Sequence, residues 1–119
     1  MHELSIAMSI VAAVQEESVV LRGSRVHAVH VRVGALSGVV PDALAFSYGL
    51  ATADTELEGS RLVIDPVPIT IFCPQCDSER PVVSIQEMCC EVCGTPSAAV
   101  VQGRELIVTG LEMKPMVTR

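Results

Sequence analysis

Cys73-Pro74-Gln75-Cys76 and Cys90-Glu91-Val92-Cys93-Gly94 are the stretches whose reading decides the fold of this 119-residue chain. They form two C-x-x-C pairs separated by thirteen residues. Each pair suits a tight turn whose backbone N–H groups face the sulfurs. Two such turns offer four thiolates in a tetrahedron, which closes the coordination shell of zinc. A closed shell keeps no open position, so the expected site is structural. A segment of roughly thirty residues buries too little surface to fold alone, and bound metal is expected to supply most of its folding free energy. Disulfide chemistry is a poorer reading: a redox C-x-x-C usually follows a strand and opens a helix that lowers the thiol pKa. Here the two turns are joined by Val82-Val83-Ser84-Ile85, which reads as a strand. Cys89 stands beside Cys90, but only Cys90 has the two-residue spacing to Cys93 with Gly94 after it. Cys89 is therefore read as a small apolar residue and not as a ligand.

Composition limits the rest. The chain is half apolar and 3% aromatic, so it is long enough for a real core, built from Val, Ile, Leu and Ala. Net charge is −6, with eight basic residues of which seven are Arg, and such a surface repels phosphate backbones. Between residues 70 and 100, Asp77, Glu79, Glu87 and Glu91 oppose Arg80 alone, and only Phe72 is available for base stacking. A zinc ribbon reading nucleic acid is thereby disfavoured. The apolar run Leu4–Val14 carries Glu3 where a signal peptide needs positive charge and is too short to span a bilayer. A cytoplasmic protein without membrane segments is expected, and five cysteines in it point to metal and not to a disulfide framework.

Outward from the cysteines, residues 104–113 read as the last strand, with Leu106 and Val108 on one face, and residues 60–71 as the preceding one. Pro66 and Pro68 place that strand at an edge or where pairing stops. Residues 41–52 read as a helix with Pro41 at its first position and Asp42 in its first turn; Ala43, Phe46 and Leu50 form one stripe, with Leu44, Tyr48 and Ala51 beside it. Residues 25–33 form a strand with His27 and His30 on opposite faces, both read as packed or surface side chains. Residues 4–21 form a helix on Leu4, Ala7/Met8, Val11 and Val14, stopped by Gly23. The expected architecture is α+β: a small three-stranded sheet with two helices on one face, and a zinc-ribbon-like four-cysteine module inserted between the last two strands, which are expected to pair. Residues 1–70 and 100–119 make the first domain, and residues 71–99 the zinc-binding module.

Met1-His2-Glu3 at the chain start places an α-amino group, an imidazole, backbone amides and a carboxylate close together. Nitrogen sets of this kind suit Ni(II) and Cu(II). The five methionines are scattered and read as core filling. No Ser/His/Asp or paired-carboxylate arrangement suggests an enzyme.

With the start Met1-His2-Glu3-Leu4-Ser5, the turn Val33-Gly34-x-Leu36, Pro41-Asp42-x-Leu44-x-Phe46, the paired cysteine turns and Gly103-Arg104-Glu105-Leu106, the chain closely resembles the HypA/HybF family from end to end. The resemblance implies a nickel metallochaperone for [NiFe]-hydrogenase maturation, not an enzyme. It implies Ni(II) as transient cargo at Met1, His2 and Glu3, and structural Zn(II) at Cys73, Cys76, Cys90 and Cys93. Glu3 offers either its amide or its carboxylate, and Asp42 is a candidate outer oxygen ligand. The implied partners are the GTPase HypB, the hydrogenase large-subunit precursor and, in some bacteria, urease accessory proteins, with the protein a monomer or homodimer. Two departures stand out: Asp77 where glycine often follows the first cysteine turn, and the extra Cys89.

Overall fold

The computed structural model describes residues 2–17, 24–82 and 84–115. The predicted helix end at 18–21, its Gly23 stop, Val83 and the Met1 amine lie outside the described residues. The element order is α1 (His2–Glu16), β1 (Ser24–Gly34), α2 (Pro41–Thr52), β2 (Arg61–Val67), β3 (Thr70–Cys73), β4 (Ser78–Pro81), β5 (Val100–Gln102) and β6 (Leu106–Pro115). Two three-stranded sheets result, in the orders β2-β1-β6 and β4-β3-β5. The chain is α+β, with two helices and the four cysteines late in the sequence. The strands on either side of the cysteine segment, β2 and β6, flank β1 and do not pair with each other as expected. β1 takes the centre because it is apolar on both faces: Val26 and Ala28 are buried on one, Val29 and Val31 on the other.

The expected strand at 60–71 is two strands. Pro68 has no N–H to give a ladder, and the chain breaks at 68–69 before β3 begins. Pro66 sits in β2, an edge strand, where a missing donor costs little.

The chain divides into two compact units, Met1–Val31 with Val39–Ile64 and Val108–Arg119, and Arg32–Gly38 with Asp65–Ile107. In the first, α1 packs on α2. α1 buries Ala7, Ile10, Val11 and Val14, a 3–4 spacing that makes one apolar stripe. Met8, expected in that stripe, is 58% exposed. α2 is turned over relative to expectation: Leu44, Ser47, Tyr48 and Thr52 face inward, while Phe46 is 71% and Leu50 57% exposed. Hydroxyl groups at this face find acceptors close by. The Thr52 hydroxyl donates to the Tyr48 carbonyl at 3.0 Å, and the Ser60 hydroxyl to the Leu57 carbonyl at 2.6 Å. Ser60 Oγ has thereby used its only proton, so the 2.7 Å contact with Tyr48 is donated by the tyrosine. Burial raises the Tyr48 pKa, which keeps that proton in place.

The second unit is built on Ile69, Ile71 and Val82, with Leu36, Met88 and Val100 packed against them. Its chain ends are stitched by backbone hydrogen bonds: Ala35 N–H to the Val67 carbonyl at 3.0 Å, Leu36 N–H to Gly103 at 2.7 Å, and Gly34 N–H to Glu105 at 2.7 Å. The Glu105 carboxylate accepts from the Gly103 amide at 2.7 Å, which lowers its pKa. Glycine is required here, since a Cβ on Gly34 would lie 2.0 Å from the Gly103 carbonyl oxygen, and Gly103 itself has φ +126°.

Candidate metal centres

β3 delivers Cys73 at its last residue, and the chain turns at once. Cys76 N–H points at Cys73 Sγ, 3.4 Å away, as a cysteine turn requires. Asp77 adopts φ +52°, a left-handed conformation that glycine takes without penalty and Asp tolerates. The turn is then complete, and Ser78 pairs with Cys73 and Arg80 with Ile71 as β4. The expected connecting strand at 82–85 is therefore displaced to Ser78–Pro81, because the left-handed residue reverses the chain directly after Cys76. Val82 closes the pairing with its N–H on the Ile69 carbonyl at 3.0 Å.

The second turn mirrors the first. Val92 N–H lies 3.4 Å from Cys90 Sγ, and Gly94 N–H bonds the Cys90 carbonyl at 2.9 Å. The four sulfurs of Cys73, Cys76, Cys90 and Cys93 all lie within 4.8 Å of one another. Two cross-turn separations are 3.5 Å (Cys73–Cys93) and 3.9 Å (Cys76–Cys90). Four sulfurs about 2.3 Å from one ion in a tetrahedron lie about 3.8 Å apart, so the set fits a tetrathiolate metal site. Cys89 is not in the group; it bridges to Pro96 and points its amide at the Glu87 carbonyl at 2.8 Å.

The electrostatics favour a cation. The Thr95 hydroxyl, 3.0 Å from Cys93 Sγ, and the Thr95 amide pull the Cys93 thiol down to about 6. Cys90 is lowered by the amides of Cys93 and Val92. Cys76, crowded by the sulfurs of Cys93, Cys73 and Cys90, is pushed up to about 12. Some sulfurs are thus ready to ionise and one is held protonated, as expected of four like charges that need a positive ion to coexist. Thr95 carried no motif signal beyond its place after Gly94.

The N-terminal residues are organised differently. α1 begins at His2, two residues earlier than expected, and the His2 side chain is exposed. The first amides of a helix have no carbonyl four residues back to bond. Glu3 reaches to the start of α2: its Oε2 accepts from Val40 N–H at 3.2 Å. Val40 is the N-cap of α2 and its own side chain cannot cap, so the Glu3 carboxylate caps from another helix. The same contact, with the amide of Glu3 itself, lowers the Glu3 pKa. Asp42 lies in the first turn of α2, two residues beyond Val40, and is exposed. The role of the Val40 amide was invisible in the sequence, because an apolar residue at an N-cap advertises nothing.

The remaining histidines are not brought to a metal cluster among the described residues. His30 Nε2 meets Glu112 Oε2 at 2.5 Å, and Arg61 stands 4.0 Å from the other oxygen. No helix among the described residues is long and apolar enough to cross a membrane.

Residues 1–113 match the family model described as hydrogenase/urease nickel incorporation, metallochaperone, hypA. The chain is 43% identical over 112 residues to the hydrogenase maturation factor HypA of Chloroflexus aurantiacus, covering 94% of this chain and 98% of that one. It is 44% identical over 114 residues to the same factor of Geobacter metallireducens, covering 96% and 100%. The solution structure of the Ni metallochaperone HypA from Helicobacter pylori shares the fold at TM-score 0.64 and 19% identity, over 96% of this chain and 98% of that chain.

Proposed function

This chain belongs to the HypA family of nickel metallochaperones and hydrogenase maturation factors, which are not catalysts, and on that premise we propose that it carries Ni(II) at its N-terminus. The reading is supported chiefly by one observation, the Glu3 carboxylate seated on the Val40 amide. That contact fixes the first turn of α1 against the head of α2 and leaves the exposed His2 imidazole and neighbouring amide nitrogens as donors. The Met1 amine and His2 amide close one chelate ring, and the His2 imidazole a second, larger one. Glu3 takes part through its amide or its carboxylate, and Asp42, in the first turn of α2, offers an outer oxygen. Such a nitrogen set suits Ni(II) as cargo. Delivery needs an affinity that a partner can exceed, so micromolar binding, about 8 kcal/mol, is appropriate.

In the same reading, Cys73, Cys76, Cys90 and Cys93 hold Zn(II) permanently, and the ion supplies cross-linking and no reaction. Residues 71–99 form that module, while residues 1–70 and 100–119 carry the nickel end. The Ni(II) cargo passes, in the cytoplasm, with a HypB-type GTPase to the hydrogenase large-subunit precursor, and to urease accessory proteins where urease is present. Calorimetry with NiCl2 tests the nickel end. Untagged protein should bind one equivalent; a two-residue extension before Met1 should abolish tight binding without changing the melting temperature. Equal affinities would remove the amine from the site.

A further inference from the structure

We infer that Arg80 is the charge-compensating residue of the four-cysteine centre, holding the complex of metal and four thiolates together from β4. The inference rests on reading that centre as a metal site. Register carries it first. In an antiparallel pair, residues directly opposite share a face, and Ile71↔Arg80 and Cys73↔Ser78 are such pairs. Ile71 and Cys73 are both fully buried, so Arg80 is aimed to the side of the strand on which the sulfurs collect. The thiols of Cys76 and Cys90 act on it electrostatically and raise its pKa. Its Nε is buried with no acceptor, and among the described residues no carboxylate pairs with it.

The charge balance explains why an arginine belongs there. Four thiolates and one divalent ion sum to −2, and Arg80 is the sole basic residue between 70 and 100, against Asp77, Glu79, Glu87 and Glu91. The segment itself offers an anionic centre no other lysine or arginine. Guanidinium suits this position because it is always charged, weakly hydrated, and able to spread several N–H donors over more than one sulfur. Outer groups of this kind typically govern metal affinity by about 10–100-fold.

The test is zinc competition against a chromophoric chelator on full-length wild type and on Arg80→Gln, Arg80→Ala and Arg80→Lys, with metal content measured on each. Glutamine keeps N–H donors and loses charge, while lysine keeps charge and loses the fork. Arg80→Gln and Arg80→Ala should bind zinc about 10–100-fold more weakly, and Arg80→Lys within a few-fold of wild type. Wild-type affinity in Arg80→Gln overturns the proposal, and so does a lysine variant as weak as the glutamine one. Wild type without one equivalent of metal would instead overturn the metal-site reading beneath it.

Discussion

The two ends of this molecule's chemistry are prepared to different degrees. At the cysteine centre four sulfurs converge within 4.8 Å, each turn braced by its own N–H···S contact and the first followed by a paired strand. At the N-terminus the proposed nickel donors sit on the opening turn of one helix, held to the next by one 3.2 Å hydrogen bond from Glu3. The difference teaches where permanence comes from. In the proposed reading, four sulfurs gathered by two backbone turns hold their ion permanently, while a site resting on one hydrogen bond at a chain end gives its ion up.

The largest effect should come from breaking the prepared side. Cys73→Ser or Cys90→Ser, each replacing a buried sulfur, should lose the bound metal. Structural zinc binding is worth on the order of 10 kcal/mol, so amide protection across residues 70–102 should vanish in hydrogen exchange while α1 and α2 keep theirs. Metal retained at full occupancy would make the convergence of sulfurs incidental.

Next comes Gly34→Ala, which pits backbone stitching against sulfur. Its Cβ would collide with the Gly103 carbonyl, and denaturant titration should register a loss of about 3 kcal/mol or more with all cysteines intact. An unperturbed midpoint would mean that the sulfurs alone order this unit.

His2→Ala addresses the loosely prepared side. Nickel affinity should fall at least about 100-fold, or about 2.7 kcal/mol, with zinc content unchanged and stability within about 0.5 kcal/mol. Asp77→Gly is subtler: relieving the left-handed strain at φ +52° should raise stability by about 1 kcal/mol or less without altering zinc content. The pH response should be smallest. Glu3 is depressed in the folded state by the Val40 amide, so its contribution is present above the ordinary carboxylate value of 4.5 and is lost as pH falls through the lower folded value. Glu112, lowered by His30, behaves with the same sign. Thermal melts of wild type and Glu3→Ala should therefore differ at pH 7 and converge below pH 4.5; equal melts at pH 7 would sever the link between the N-terminus and α2.

The cysteine centre was legible because two-residue spacing dictates the turn almost regardless of context. The helix–strand–helix–strand order was legible too, from apolar period and from Pro41 at a helix start. The orientation of α2 was not. Its sequence is apolar nearly all round, so the apolar pattern alone does not choose a face; Tyr48, bonded through its hydroxyl to Ser60, is buried, and Phe46 and Leu50 are exposed. The flanking of β1 by β2 and β6 escaped for a related reason: strand order depends on which strand is apolar on both faces, a comparison between distant segments. The N-terminal residues acquired meaning only through the family resemblance, since a Met-His start occurs by chance in many chains.

Residues 34–36 grip the chain twice, at Val67 where it leaves for the cysteine turns and at Gly103 where it comes back. The thirty-five intervening residues, 68 to 102, therefore leave and re-enter at a single three-residue turn, so the cysteine turns and the core around Ile69, Ile71 and Val82 are closed off by backbone hydrogen bonds at one neck.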